Sequence, residues 1–229
     1  MVLQDLKVDK HWAPQSFELT GNIKVTFPTH LDGGGREMKD DLITAICATG
    51  KSYYNRAFEW CAGFGVLGYE VLGMNLTKNL VFSDYYDVAI KNCLDTSNMN
   101  GLSDRVTGYV TPCIGNIPEY EKWDLVVSNP PHSSDGAGFI DFMNNDPSRK
   151  HEFIENGARL VVDENYGIHK EFYENIRNHL TDDADLYIIE SVQEKLFEEL
   201  ATAAGLCLVG KYPVTFLKNG AIYHFKVKH

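Results

Sequence analysis

The sequence predicts an α/β protein, and three stretches predict it. Residues 56–68 run from an apolar segment with a carboxylate near its end, Glu59, through small residues and glycines into residues 66–72 at helical spacing. That is a strand turning tightly into a helix. Residues 79–83 form a second apolar run that stops at Asp84, and residues 123–128 a third that ends in Asn129-Pro130-Pro131-His132. Apolar strands alternating with helical patterns are the arrangement of a parallel sheet with crossover helices, in which ligands bind at the carboxyl ends of the strands.

Composition bounds the class. The chain has 229 residues, 44% of them hydrophobic, which suffices for one globular core. The net charge of -11 makes the average field repel a phosphate backbone, so a nucleic-acid partner would need a local basic patch. No apolar run reaches the length of a membrane span, residues 1–10 are of mixed charge, and a cytoplasmic protein is expected. The five cysteines, Cys47, Cys61, Cys93, Cys113 and Cys207, are scattered and read as reduced and mostly buried. The eight histidines show no ligand spacing with cysteine or carboxylate, so no metal is expected.

In chain order, residues 16–27 alternate around Thr20-Gly21-Asn22, with Phe17, Leu19, Ile23, Val25 and Phe27 apolar, and predict a hairpin. Residues 28–37 have no periodicity and three successive glycines. They read either as a mobile connector or as a lid that brings Arg36 or Glu37 to a bound cofactor. Residues 40–48 carry Leu42, Ile43, Ile46 and Cys47 on one face of a short helix.

The turn Cys61-Ala62-Gly63-Phe64-Gly65 follows the first sheet strand. Gly63 and Gly65 permit backbone angles closed to other residues, and the helix behind them offers free N–H donors and a positive dipole end. Asp84 stands about 20 residues beyond the turn, where a carboxylate accepts hydrogen bonds from ribose hydroxyls; the alternative is that it caps a helix over residues 85–94. Residues 105–110 make a further strand, leading to Thr111, Pro112 and Cys113. There Thr111, Cys113 or a backbone carbonyl is on offer to a base ring.

Asn129-Pro130-Pro131-His132 is the second informative turn. Both prolines have fixed φ and no N–H, so the backbone is stiff at the strand tip. The Asn129 side-chain oxygen and the Pro130 carbonyl are acceptors for the two hydrogens of an –NH2 group, and His132 offers a ring for stacking on a flat group. A plain strand terminator is the other reading. Residues 163–180 have helical spacing, 184–190 form a strand and 192–204 a helix; 206–216 and 221–227 form an antiparallel pair turning near Asn219-Gly220. The polar segment 135–157, with Arg149, Lys150 and His151 together, reads as an acceptor-shaping or nucleic-acid contact, or as a solvated surface loop and helix.

These motifs resemble class I S-adenosylmethionine-dependent methyltransferases of the Asn-Pro-Pro-aromatic branch, which methylate planar amino or amide nitrogens. Among them are release-factor glutamine methyltransferases, adenine-N6 enzymes of DNA and RNA, and guanine-N2 enzymes of ribosomal RNA. Glu59-Trp60-Cys61-Ala62-Gly63-Phe64-Gly65 is similar to the family's acidic, glycine-rich turn, with Cys61 where the first glycine is usual, and His132 replaces the usual larger aromatic. The order of elements and Gln193 beyond the fifth strand resemble the release-factor enzymes most, whose long N-terminal helical domain has no counterpart in residues 1–15.

The resemblance implies a Rossmann-like, seven-stranded sheet in the order 3-2-1-4-5-7-6 with the last strand antiparallel, helices on both faces and a short N-terminal hairpin. Residues 1–37 would then be an extension with hairpin and lid, and residues 38–229 the catalytic domain. It implies S-adenosylmethionine as cofactor, with Glu59 at the methionine end and Cys61, Ala62, Gly63, Phe64 and Gly65 along the turn. Asp84 and Tyr85 would lie at the ribose, and Thr111 or Cys113 at the base. It implies direct in-line methyl transfer at Asn129, Pro130, Pro131 and His132 to a glutamine-bearing protein, with RNA or DNA as the other acceptor class and a non-catalytic binding module as the reading outside enzymes.

Overall fold

A computed structural model describes residues 14–135, 159–191, 193–215, 217 and 220–229. The basic cluster Arg149, Lys150 and His151, the expected helix start at Val192 and the turn residue Asn219 lie outside the described residues.

The hairpin comes first. Strands β1 (Gln15–Leu19) and β2 (Ile23–Phe27) pair antiparallel, with Leu19 opposite Ile23, around a single 3-10 turn at Thr20–Asn22. The main sheet holds β3 (Tyr54–Trp60), β4 (Thr77–Asp84), β5 (Val106–Val110), β6 (Trp123–Ser128), β7 (Leu180–Glu190), β8 (Leu206–Pro213) and β9 (Ala221–Val227). Its order is β5-β4-β3-β6-β7-β9-β8, with β9 antiparallel to both neighbours and the other pairs parallel. This is the Rossmann-like arrangement that the resemblance implied.

Helices cover both faces. Alternate residues of each central strand face opposite ways. Ala57, Leu80, Phe82, Leu125, Val127, Tyr187 and Ile189 pack with α1 (Gly35–Ala48), α2 (Val66–Gly73) and α3 (Asp87–Met99). Phe58, Trp60, Val81, Val126, Leu186 and Ile188 pack with α4 (Gly167–Asn175) and α5 (Glu194–Ala203). Burial on both faces is why these strands read as nearly unbroken apolar runs.

The hairpin is fastened to α2. A Cβ on Gly73 would lie 2.0 Å from the Thr20 carbonyl oxygen, and one on Gly21 would lie 2.8 Å from the Gly73 carbonyl oxygen, so only glycines allow this approach. Thr20 Oγ1 donates to Glu70 at 2.6 Å beside it. Phe27 of β2 stacks on Phe64 of the glycine turn with ring centres 4.1 Å apart. The hairpin therefore braces the turn from outside the sheet.

Several boundaries differ from expectation. Helix α1 begins at Gly35 rather than at residue 40: Gly34 turns left-handed at φ 89 as its N-cap, and the absent Cβ of Gly35 lets the helix close to Val66, whose Cγ1 such a Cβ would meet at 2.8 Å. The helix expected over 163–180 is interrupted by Asn165 and Tyr166, both at φ 55, and gives way to a 3-10 turn at Ile176–His179 before β7. Strand β8 ends at Pro213, which pairs with Ala221, short of the expected residue 216. All five cysteines are free; Cys93 is buried, Cys47 is exposed and the other three are half-buried, against the expectation that most are buried.

Candidate active site

The strand register brings the motifs to one edge of the sheet. Glu59 lies beside Phe82 of β4 on one side and Val127 of β6 on the other, and Trp60 lies beside Ser83 and Ser128. Asp84 follows Ser83 and Asn129 follows Ser128, so the three site residues stand at neighbouring carboxyl ends of parallel strands. A cavity of about 230 Å³ opens there.

Glu59 is a buried carboxyl group whose Oε2 accepts the N–H of Gly68 at 2.7 Å. Helix α2 has the side-chain-free Gly65 as N-cap, and Glu59 takes one of the donors that such an end leaves open. Burial pushes its pKa up to about 8; the Gly68 and Leu67 N–H groups oppose the rise and Asp84 adds to it.

Asp84 ends β4. Its Oδ2 accepts the Gly63 N–H and its Oδ1 the Tyr86 N–H, each at 3.0 Å. It thus ties the glycine turn to the turn before α3. The N-cap of α3 is Tyr86, so Asp84 is not the helix cap that the alternative reading proposed. Burial raises its pKa, and the two N–H groups and Arg159 oppose the rise.

Of the residues expected at the cofactor, Glu59, Cys61, Ala62, Gly63, Phe64, Asp84, Tyr85, Thr111 and Asn129 line this cavity, together with Pro131. Gly65 and Cys113 do not. A Cβ on Gly65 would meet the Phe82 ring and Cys93 Sγ at about 2.9 Å, so this glycine faces the core. Cys113 turns its thiol to Glu171, 2.5 Å away, leaving Thr111, Pro112 and Ile114 on the cavity wall. Arg36 and Glu37 also stay off the wall, paired with each other at 3.0 Å; Leu31, Gly33 and Gly35 supply that side instead.

A second cavity, of about 480 Å³, adjoins the first. Pro130 and His132 line it with Ser133, Ser134 and Gln193, while Asn129, Gly33 and Leu160 border both cavities. Asn129 Nδ2 donates to the Gly33 carbonyl at 2.9 Å, and its Oδ1 lies 3.1 Å from His132 Nε2. Because the Gly33 oxygen only accepts, the amide must point this way round, and His132 Nε2 must carry a hydrogen. Its Nδ1 lies 3.4 Å from Glu190 Oε2, so the ring is held through both nitrogens when a hydrogen lies between those two atoms. This ring is a hydrogen-bonded link and not only a stacking surface.

The sequence reading missed Glu190, His169 and Asp163, which continue this chain inward, and Trp60, Arg159 and Ile168 of the first cavity. Glu190 had a usable signal: it closes an apolar strand as Asp84 does. Arg159 had none, since its place depends on a contact at 4.0 Å with the ring of Tyr86, far away in sequence.

The cavity's groups fit S-adenosylmethionine. Two carboxylates stand at separate strand ends, one buried beside a helix N-terminus, and Thr111, Pro112, Ile114 and Ile168 form a largely apolar wall for a ring. Among the described residues no group of three or more His, Cys, Asp or Glu is placed to hold a metal, and no helix is long and apolar enough to cross a membrane.

No protein-family model and no curated protein matches the chain. Solved structures do. The ribosomal protein L11 methylase of Lactobacillus delbrueckii subsp. bulgaricus is 13% identical with a TM-score of 0.60, over 86% of this chain and 81% of that one. The N-methyltransferase NodS of Bradyrhizobium japonicum, in complex with S-adenosylhomocysteine, is 12% identical with a TM-score of 0.57, over 85% and 87%. An S-adenosylmethionine-dependent methyltransferase of Clostridium acetobutylicum is 12% identical with a TM-score of 0.56, over 85% and 92%. At these identities the likeness is one of fold.

Proposed function

We propose that the protein is an S-adenosylmethionine-dependent N-methyltransferase acting on a planar amide or amino nitrogen, with a protein glutamine side chain as acceptor. The observation that carries this reading is the position of Asn129, which borders both cavities: one with the carboxylates of Glu59 and Asp84, the other open to an acceptor.

S-adenosylmethionine, when bound, supplies an electrophilic sulfonium methyl group. Glu59 would hold its methionine end and Asp84 its ribose, while Thr111 and Ile114 flank its base. On the other side, the oxygens of Asn129 and Pro130 accept the two hydrogens of the acceptor –NH2. Their grip aims the nitrogen lone pair at the methyl carbon and stabilises the positive charge that grows on nitrogen. The cofactor would supply its methyl carbon to that nitrogen and would keep the electron pair of the sulfur–carbon bond. The proton leaves the nitrogen after charge has built up, so no strong base is needed.

Two observations favour a protein over a nucleic acid. The chain carries a net charge of -11, and the described lining of the second cavity includes Asp135 and no lysine or arginine. Incubation with methyl-tritiated S-adenosylmethionine and a cell extract, followed by nuclease or protease digestion, tests the choice. Label released by protease and retained through nuclease is expected. Label released only by nuclease would replace the glutamine acceptor with a base.

A further inference from the structure

Behind His132 lies a line of charged groups that the transfer step does not use. Glu190 ends β7 and is buried; its Oε2 faces His132 Nδ1 at 3.4 Å and its Oε1 faces His169 Nε2 at 2.7 Å. His169, fully buried on α4, places Nδ1 2.6 Å from Asp163 Oδ2. Asp163 is fixed in turn by the N–H groups of Ile168 and His169, at 2.8 and 3.0 Å. The run Asn129, His132, Glu190, His169, Asp163 thus joins the strand tip to the sheet and to α4 without a break.

Such a line is costly in a core unless it is fully paired. Burial alone would lower the His169 pKa, but Glu190 and Asp163 outweigh it and raise the value to about 9. Hydrogen bonding by His169 and by the two N–H groups keeps Asp163 below the usual carboxylate range despite burial. An imidazolium between two carboxylates pins the Glu190 carboxylate, which is then placed to accept a hydrogen on His132 Nδ1, and with hydrogens on both ring nitrogens His132 donates to Glu190 and to Asn129 together.

Resting on the methyltransferase reading, we propose that Glu190, backed by His169 and Asp163, is a positioning residue: it fixes the ring of His132 and, through it, the Asn129 amide, in the orientation that leaves a lone pair of Oδ1 for the acceptor. The amide is then clamped from both sides, by Gly33 at nitrogen and His132 at oxygen. A carbonyl oxygen has two lone pairs, so one remains for the acceptor N–H. Preorganisation of this kind raises the rate without adding affinity. Among the described residues, titratable groups around the line include Asp163, Glu190, His132, Tyr166, Tyr173, Cys61 and Glu171.

The test compares full-length wild type with Glu190→Ala and His132→Ala. His132 is at the cavity edge, so its variant keeps the question open if the buried substitution fails to fold. Two measurements are made: the side-chain amide signals of Asn129 in a nitrogen-15 spectrum, assigned by their loss in Asn129→Ala, and label transfer from tritiated S-adenosylmethionine to extract protein. In both variants the Asn129 signals should move toward those of a free amide. kcat should fall 10- to 100-fold, with KM for extract protein and affinity for S-adenosylhomocysteine within about threefold. A folded His132→Ala protein with unmoved Asn129 signals and an unchanged rate overturns the proposal. If the signals move but wild type transfers no label, the positioning line stands and the methyltransferase reading falls.

Discussion

The side-chain nitrogen of Asn129 donates to the backbone carbonyl of Gly33, 2.9 Å away, which joins the β6 tip to the segment between hairpin and α1. Both residues border the two cavities, and the contact fixes the Asn129 oxygen toward His132. Asn129→Ala removes the acceptor oxygen while leaving Glu59 and Asp84 in place. Methyl transfer should fall by at least ~100-fold, as expected for losing a charge-stabilising contact. Affinity for S-adenosylhomocysteine, measured by calorimetry, should stay within a few fold; normal turnover would remove Asn129 from the mechanism.

Gly63 joins the turn to the same segment on the other side. It has φ +52, and a Cβ would lie 2.8 Å from the Leu31 carbonyl oxygen. Gly63→Ala should cost about 1–3 kcal/mol of stability, from backbone strain and overlap together. It should also loosen the N–H bond to Asp84. Urea denaturation against wild type reads the first effect and S-adenosylhomocysteine titration the second.

Glu59 makes stability depend on pH. Its folded pKa of about 8 lies above the ordinary glutamate value of 4.5, so the folded state holds the proton more tightly than the unfolded state. Stability from this group is therefore lost as pH rises from about 4.5 to about 8, by an amount on the order of a few kcal/mol. Glu59→Gln should have a flatter stability profile over that window, measured by denaturant midpoints at several pH values. An unchanged slope would contradict the assigned environment.

His169 works in a different window. Its value is raised to about 9, so its contribution is complete below its ordinary value of 6.5 and fades as pH rises through about 9. His169→Gln should lower stability most at neutral pH and below, and the gap to wild type should narrow above pH 9. A gap that stays constant with pH would mean that the ring is neutral in its site.

Much of this architecture was legible because apolar strands buried on both faces leave an unmistakable pattern and because Glu59, Asp84 and Asn129 each close one. Their common edge follows from parallel pairing alone. Side-chain direction was not legible. Gly65 and Cys113 sit in the right turns, yet they point at Phe82 and Glu171, and only packing decides that. The start of α1 was hidden for a related reason: three glycines read as a break, whereas Gly35 is there for its close approach to Val66. The line behind His132 joins residues 129, 132, 163, 169 and 190, and no local spacing signals it.

Calorimetric titration of S-adenosylhomocysteine into wild type and Asp84→Ala tests the central claim most directly, that the tips of β3, β4 and β6 form one cofactor site facing an acceptor. One ligand per chain with a micromolar dissociation constant is expected, weakened at least tenfold in the variant. No binding at millimolar ligand, or equal binding by both proteins, would contradict it.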